Sequence, residues 1–293
     1  MANRSRERDF RRWEATGDQP QGADDVATAG RAGRRAPRWG IGAALARIFA
    51  AEGHRLALVA RSEAGLVALA DAIENTGKPR PLVLPYDLTR AESSGLVSTQ
   101  LSAKGFEPAI VVNNAGFGLV GQAGALDRTE QLRMIDLNVR TLTDLTLRFL
   151  PSVMRHKGGI LNVASVAGFL PGPGMAVYYA TKAYVISFSE ALAQELAGTG
   201  TTVTALCPGP VPTGFQDRAG MSLAEMPKFM TLSADEVARA GYDGFKAGRR
   251  LVVPGFGNKL ASLAKFLPRR LVLPSLQRLQ RRRASPSRSF ARS

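Results

Sequence analysis

The sequence is poor in the residues that define several classes of protein. Among its 293 residues is a single cysteine, Cys207, so an internal disulfide framework is excluded. There are only two histidines, His54 and His156, which makes a multi-histidine metal site hard to build. No apolar run approaches the roughly 18 residues that span a bilayer. The Arg-rich segment up to Trp39 also lacks the apolar core of a secretory signal. We therefore expect a cytoplasmic protein without a metal site.

Acidic residues are absent from the carboxyl-terminal part of the chain. The whole chain has 39 Lys+Arg and 24 Asp+Glu, a net charge of +15, which by itself suggests nucleic acid or an anionic membrane as a partner. Residues 1–39 carry 9 basic and 6 acidic residues, residues 40–248 carry 18 of each, and residues 249–293 carry 12 basic and no acidic residues. Because the central region is neutral, we expect no nucleic-acid partner.

Short apolar runs alternate with helix-forming segments from Gly42 onwards. The predicted strands are Arg55–Ala60, Arg80–Tyr86, Ala109–Val112, Gly159–Val163, Thr201–Leu206 and Leu251–Val253. The predicted helices are Ala43–Glu52, Ser62–Asn75, Ala91–Lys104, Asp127–His156 with an interruption near Pro151, Ala176–Ala197, and Ser233–Lys246 with a capping box. This alternation predicts an α/β fold with a parallel sheet covered on both faces, whose ligands bind at the carboxyl ends of the strands.

Two features near the first predicted strand suggest a dinucleotide. Gly40-Ile41-Gly42 stands at a helix start, where paired glycines let the backbone approach a pyrophosphate. Arg61 follows the strand Arg55–Ala60 with no acid at the strand end. An arginine pairs with a ribose 2′-phosphate, whereas an acid would hold a free 2′-hydroxyl, so NADP is favoured over NAD. A solvated surface arginine is the alternative.

The ends of the next two predicted strands carry polar and small residues. Asp87 could accept a hydrogen bond from an adenine amino group, or it could cap the following helix. In Asn113-Asn114-Ala115-Gly116, the small residues allow close packing against a nucleotide and the Asn side chains can tie neighbouring strands together. A plain turn is the alternative, because Asn and Gly are turn residues.

Tyr178 and Lys182 are four residues apart on a predicted helix, so both side chains share one face. A lysine ammonium beside a phenol lowers the pKa of the phenol and suits it to proton transfer, although such pairs also arise by chance. Ser165, just beyond the strand Gly159–Val163, could bond the same substrate oxygen. Asn138 lies in a helical stretch where asparagine is unfavourable, which suggests a local reason such as a bound water.

A sharp turn is expected after the strand Thr201–Leu206, because the sequence there is Cys207-Pro208-Gly209-Pro210-Val211-Pro212-Thr213. In order and spacing, the whole set of motifs resembles the short-chain dehydrogenase/reductase family, from about Gly40 to Val253. The resemblance implies a single-domain, Rossmann-type, doubly wound parallel sheet and NADP(H)-dependent carbonyl reduction or alcohol oxidation.

The resemblance also implies a role for each residue. Tyr178 would be the general acid, Lys182 would lower its pKa and hold the nicotinamide ribose, Ser165 would orient the carbonyl oxygen, and Asn138 would hold a water. Cys207 would be a packing residue. The implied cofactor-binding residues are Gly40, Ile41, Gly42, Arg61, Asp87, Leu88, Asn114, Ala115, Gly116, Tyr178, Lys182, Pro208, Gly209, Val211 and Thr213.

The amino-terminal part departs from the family pattern. Arg35 and Ala36 stand where the family has Thr and Gly, and residues 28–34 do not read as a buried strand. We therefore expect residues 1–39 to be an atypical, disordered segment that lacks the first strand, and we hypothesise that they come from a shifted reading frame. A catalytically silent nucleotide-binding or membrane-associated protein is then the alternative function.

Beyond the last motif, two segments bear on the substrate and on partners. The segment expected to cover the substrate is rich in apolar residues, namely Phe215, Met221, Leu223, Met226, Phe229 and Met230. This favours an apolar carbonyl or alcohol substrate, with ordinary packing as the alternative. After the catalytic domain, residues 40–255, comes a basic extension, residues 256–293, with Leu260, Leu263 and Leu267 on one stripe. We favour a helix packed on the domain or on a homo-oligomer partner over peripheral membrane contact.

Overall fold

Seven parallel strands form a single sheet at the centre of the molecule. The computed structural model describes residues 25–29, 40–220, 230–270, 272–274 and 277–278. The strands are β1 (Asp25–Ala29), β2 (Arg55–Val59), β3 (Leu82–Leu84), β4 (Pro108–Asn113), β5 (Gly159–Val163), β6 (Thr202–Leu206) and β7 (Leu251–Val252). Their order in the sheet is β3-β2-β1-β4-β5-β6-β7. The predicted α/β, Rossmann-type doubly wound parallel sheet is confirmed.

Helices connect the strands and cover both faces. They are α1 (Ile41–Ala51), α2 (Glu63–Glu74), α3 (Ser93–Ala103), α4 (Arg128–Ile135), α5 (Leu142–Arg155), α6 (Ala176–Glu195), α7 (Gly214–Ala219), α8 (Ala234–Lys246) and α9 (Phe256–Ser262). The predicted capping box is present in α8, where Ser233 and Glu236 satisfy each other's backbone N–H groups. Most predicted element boundaries agree with the structure within two residues.

The first strand is present, so the expectation that it is missing was wrong. β1 lies in the centre of the sheet, where Ala27 pairs with Ala57 of β2 on one side and with Val111 of β4 on the other. The strand was expected within residues 28–34, close before the glycine pair, but it begins at Asp25. The β-branched Val26 and Thr28 suit a strand. Residues 30–39, including Arg35 and Ala36, lie outside the described residues, so the reading-frame hypothesis stays a hypothesis.

The two faces of the sheet have separate hydrophobic cores. One core lies under α1, α2 and α8 and is centred on Leu45, Phe49 and Leu58. The other lies under α3, α5 and α6 and includes Phe149 and Ile160. Both faces of the central strands are therefore buried, which explains their continuous apolar runs.

The helical stretch between β4 and β5 is irregular at a different place from the one predicted. Pro151 lies inside α5, which continues past it because its apolar face is buried against the sheet. The irregularity is instead a π-helical turn, Asp136–Thr141, between α4 and α5. Such turns carry an extra residue per turn and are frequent at functional sites. The turn contains Asn138.

A chain of buried polar side chains ties the central strands to α5 and α6. The Asn113 amide donates to Thr146 Oγ1 and to Asn162 Oδ1, both at 2.9 Å. The Asn162 amide in turn donates to Ser189 Oγ at 2.9 Å. The prediction that the asparagines after Val112 tie neighbouring strands together is confirmed for Asn113, the last residue of β4. These contacts satisfy groups that would be costly to bury unpaired.

Gly158, which precedes β5, has no room for a side chain. A Cβ there would lie 1.9 Å from the backbone oxygen of Ala109, which cannot move without disturbing β4. We expect Gly158→Ala to lower the free energy of unfolding by about 1–3 kcal/mol, as overpacking does. The control is Gly95→Ala in α3, where a Cβ meets nothing within 4 Å. That change should stabilise the helix by about 0.5–1 kcal/mol. Urea unfolding of both variants tests this, and equal stability would contradict it.

Candidate active site

A pocket opens at the carboxyl ends of β2, β3 and β4. It is lined by Ala60, Arg61, Tyr86, Asp87, Leu88, Thr89, Ala115, Gly116, Phe117 and Leu137. Five of the residues predicted to bind a cofactor are among them: Arg61, Asp87, Leu88, Ala115 and Gly116. They come from three separate strand ends, and the parallel sheet brings them to one edge.

Asp87, which lines this pocket, is held in its charged form. Desolvation would raise the pKa of its carboxyl group, but two hydrogen bonds from Thr89 and the charges of Arg61 and Arg133 outweigh it and lower the pKa. Asp87 Oδ1 accepts from the Thr89 backbone N–H at 3.0 Å and from the Thr89 hydroxyl at 2.9 Å. The residue that caps α3 is Glu92, so the helix-cap alternative for Asp87 is wrong.

The amino end of α1 has the properties of an anion site. Gly40 caps the helix and has no side chain that could accept from the backbone N–H groups of the first turn. There is also no acidic residue in that turn to compete for the positive end of the helix dipole. A Cβ on Gly42 would lie 2.4 Å from the Asn114 amide nitrogen, and one on Gly40 would lie 3.9 Å from the Thr213 side chain. The glycine pair, the segment after β4 and the turn after β6 are far apart in sequence, and they therefore meet at the amino end of α1.

Tyr178 lies on α6 and is buried against apolar side chains. Its ring centroid is 5.4 Å from that of Phe215, and Gly118 packs closely beside it. Burial raises the pKa of the phenol, and the nearby Ser165 side chain opposes this only in part. Ser165 Oγ also accepts from the Ala167 N–H at 3.1 Å, which orients the hydroxyl. The structure thus places Ser165 next to Tyr178, and a shared bond to a substrate oxygen stays a prediction.

Lys182 lies one turn after Tyr178 on the same face, but its charge acts differently from the prediction. Its ammonium donates to the backbone oxygen of Val163 at 2.8 Å. Burial lowers the pKa of Lys182 to about 8. The expectation that Lys182 lowers the pKa of Tyr178 is not met here, because desolvation dominates and the ammonium is directed to the end of β5.

Asn138 is fully engaged by protein groups. Its amide nitrogen donates to the Phe117 backbone oxygen and to Thr181 Oγ1, both at 3.0 Å. Its side-chain oxygen accepts from the Phe117 N–H at 3.1 Å. Both amide hydrogens are therefore used, and the expected water cannot be held through them. The side chain instead joins the segment after β4 to α6, next to Lys182.

Contacts with Asn258 and with Gln216 fix the position of the turn after β6. Gly209 packs against Asn258, whose side-chain oxygen would lie 2.1 Å from a Cβ at position 209. The Gln216 amide donates to the Val211 backbone oxygen at 2.6 Å, and Thr213 caps α7 in a reciprocal box with Gln216. Ser165 Oγ lies 3.5 Å from the Pro208 backbone oxygen. The turn therefore reaches the Tyr178 site.

Cys207, at the start of this turn, is completely buried. Burial raises the pKa of its thiol to about 12. The thiol is therefore protonated and unreactive at neutral pH, as expected for a packing residue.

Comparison with known proteins places this architecture in a family. The family model for short chain dehydrogenase matches residues 37–222. A ketoacyl reductase, HetN, of Nostoc sp. is 33% identical over 234 residues, which are 78% of this chain and 79% of the relative. The chain belongs to the short-chain dehydrogenase/reductase family. This membership supports an oxidoreductase that acts on a carbonyl or CH–OH group.

Other members of the short-chain dehydrogenase/reductase family resemble the chain over similar lengths. The 3-oxoacyl-[acyl-carrier-protein] reductase FabG of Escherichia coli is 32% identical over 208 residues, 69% of this chain and 83% of that protein. A solved short-chain dehydrogenase from Sphingobium yanoikuyae in complex with NADPH is 29% identical, with a TM-score of 0.72 over 92% of this chain and 98% of that one. A bulky-bulky ketone specific alcohol dehydrogenase from Comamonas testosteroni is 26% identical, with a TM-score of 0.68 over 92% and 97%.

Several residues at the site were not predicted from the sequence. Thr181 accepts from Asn138, and Asn258 packs on Gly209, yet neither stands in a pattern that suggests a contact so distant in sequence. Thr89 could have been found, because Asp87 followed two residues later by Thr is typical of a local side-chain-to-backbone turn. Residues 221–229, which hold most of the predicted apolar covering segment, lie outside the described residues.

Two absences hold within the described part of the chain. There, no group of three or more His, Cys, Asp or Glu side chains could hold a metal ion. In the same ranges, no helix has both the length and the hydropathy needed to cross a bilayer.

Proposed function

We propose that this protein is an NADP(H)-dependent oxidoreductase that interconverts a carbonyl group and a secondary alcohol on an apolar substrate. The observation that carries the proposal is the placement of Ser165 beside the buried phenol of Tyr178, with the buried Lys182 one helical turn away. These groups lie at the carboxyl edge of the sheet, beside a pocket that suits a nucleotide. The proposed catalytic domain is residues 40–255, preceded by β1.

The proposed proton donor to the carbonyl oxygen is Tyr178. Because burial raises its pKa, the phenol is protonated at neutral pH and can act as a general acid, then take the proton back in the reverse direction. Ser165 would donate a second hydrogen bond to the same oxygen and stabilise the charge that develops there. Both residues are held by buried backbone contacts, which keeps the pair in one orientation.

Lys182 and Asn138 support this pair in the proposed mechanism. Lys182, with a pKa of about 8, is mostly charged at neutral pH and would hold ribose hydroxyls of the cofactor. Asn138 would act as a positioning residue, because its amide fixes Thr181, the neighbour of Lys182 on α6. When bound, a nicotinamide cofactor supplies hydride transfer.

Residues along the carboxyl edge of the sheet could contact such a cofactor over its whole length. The amino end of α1, formed by Gly40, Ile41 and Gly42, would hold the pyrophosphate. Arg61, Asp87 and Leu88 would hold the adenosine part. The remaining proposed contacts lie after β4 and β6, namely Asn114, Ala115, Gly116, Pro208, Gly209, Val211 and Thr213.

The apolar surroundings of Tyr178 support an apolar substrate. Phe117, Met175 and Tyr179 form a buried cluster with Tyr178, and Leu119 and Phe215 pack against it. A substrate carbonyl at the phenol would lie beside this cluster, which would bury apolar substituents more favourably than charged ones.

Arg61 carries the proposed preference for NADP(H). Replacing it with alanine removes the charge that would pair with the 2′-phosphate, and such charge-assisted bonds contribute about 1.5–3 kcal/mol. We therefore expect Arg61→Ala to weaken NADPH binding about 10- to 100-fold and to leave NADH binding unchanged. Fluorescence titration with both cofactors measures this.

Arg128→Ala is a matched control, because Arg128 is an exposed arginine on α4 and does not line the pocket. It should bind both cofactors as the unmodified protein does. Equal weakening of NADPH and NADH by Arg61→Ala would contradict the assignment of the 2′-phosphate to Arg61.

A further inference from the structure

Large apolar side chains protrude from the segment that follows β7. Phe256 is 82% exposed and Phe266 is 75% exposed, and Leu260, Leu263 and Leu267 are each more than half exposed. They lie on α9 and on the 3-10 turn Leu263–Phe266 directly after it. We call these five side chains the docking surface. Apolar residues that are scattered singly need no explanation, but five within 12 consecutive residues form a patch that does.

The charged residues of the segment that bears the docking surface have one sign. Lys259, Lys265, Arg269 and Arg270 are all exposed beside it. The last acidic residue of the chain is Asp243, and residues 249–293 carry 12 basic residues and no acidic ones. A partner must therefore supply both an apolar medium and negative charge.

The segment is attached firmly enough to the domain to present this surface. Asn258 is buried and donates to the Pro254 and Met230 backbone oxygens, at 2.9 Å and 3.2 Å. The Lys265 ammonium lies 5.2 Å from the ring centroid of Phe169, in the turn that begins after Ser165. The apolar side chains thus point outwards because the opposite side of the segment is packed on the domain.

The sequence favours a helix packed on the domain or on a partner copy, but these five side chains are exposed. We propose instead that the docking surface binds the surface of an anionic lipid bilayer. Phenylalanine and leucine side chains that protrude among lysines and arginines are typical of segments that lie in the membrane interface. The apolar groups enter the acyl boundary while the cations stay at the headgroups. A second copy of the chain fits less well, because symmetric pairing through this surface would bring its cations against the same cations of the partner. This proposal does not depend on the proposed oxidoreductase activity.

Sedimentation with vesicles tests the proposal on the full chain. We expect binding to vesicles of phosphatidylcholine with phosphatidylglycerol, and much weaker binding to phosphatidylcholine alone. The double variant Phe256→Ser, Phe266→Ser should bind the anionic vesicles at least about tenfold less. The matched control is Leu96→Ser, Leu147→Ser, which changes two leucines that are 46% and 52% exposed on other helices. It should bind as the unmodified chain does.

A charge variant gives a second, independent measurement. Each basic side chain near an anionic surface contributes about fivefold to binding, so Lys259→Gln with Arg269→Gln should weaken it about 25-fold. The control Lys104→Gln with Arg128→Gln changes as many exposed charges elsewhere and should have no effect. Because all these residues are exposed, the thermal unfolding temperature should not change.

Three results would overturn the proposal. The first is the absence of binding to anionic vesicles. The second is equal binding by the Phe256→Ser, Phe266→Ser variant, which would assign the binding to the basic residues alone. The third is an oligomer of the unmodified chain that this variant dissociates in sedimentation velocity, which would show that a second copy covers the surface.

Discussion

Tyr178→Phe is expected to lower kcat/KM for carbonyl reduction by about 10²- to 10⁴-fold, the contribution typical of a general acid. The change removes one oxygen and leaves the ring in the cluster formed with Phe117, Met175 and Phe215. Because the phenol is the proposed proton donor, kcat should fall with little change in NADPH affinity. Steady-state kinetics on a panel of apolar ketones, with a parallel NADPH titration, measures both quantities.

The neighbouring residue provides a matched control for Tyr178. Tyr179 is also a buried tyrosine on α6, but its ring packs against Gly172, where a Cβ would lie 2.2 Å from the ring. Tyr179→Phe should keep kcat/KM near that of the unmodified protein. If the protein binds NADPH but no ketone is turned over in a Tyr178-dependent way, the catalytically silent alternative is correct instead.

Lys182→Met is expected to remove activity and yet make the cofactor-free protein more stable. Burial lowers the pKa of Lys182 to about 8, from an ordinary value of 10.5. At about 1.4 kcal/mol per unit, the buried ammonium costs the fold on the order of 3 kcal/mol at neutral pH. Methionine fills a similar volume without charge. The hydrogen bond to Val163 is lost, which offsets about 1 kcal/mol, so a net gain of about 2 kcal/mol is expected.

The pH dependence of stability follows from the same shift. Between the folded pKa of about 8 and the unfolded pKa of 10.5, the unfolded chain holds a proton that the folded chain has released. Stability should therefore rise with pH across this window and fall as the pH drops through 8. In Lys182→Met this rise should be absent. Urea unfolding at several pH values, without added cofactor, measures it.

Lys104→Met is the control for this experiment, because Lys104 is an exposed lysine at the end of α3. It should retain the activity and the rise in stability with pH. A Lys182→Met variant that is less stable at neutral pH, or one that turns over ketones normally, would show that the ammonium is not a buried functional charge.

The alternation of strands and helices could be predicted because it depends on local patterns. Runs such as Arg55–Val59 and Gly159–Val163 are mostly apolar, and such runs are typical of strands buried on both faces. β1 was missed because Asp25–Ala29 is short and polar at its start, and because the residues between it and Gly40 do not match the family motif. Its place depends on ladders with β2 and β4, which are distant in sequence.

The sequence by itself determined which chemical groups the site contains, since Tyr178 and Lys182 share a helix face and Ser165 and Asp87 follow strands. Only the tertiary structure decided how those groups behave. It joined Asn138 to Phe117 and Thr181, and it directed the Lys182 ammonium to Val163. It also raised the pKa of Tyr178 and lowered that of Lys182. The reason is that hydrogen bonding and desolvation depend on neighbours from other strands and helices, which no local pattern specifies.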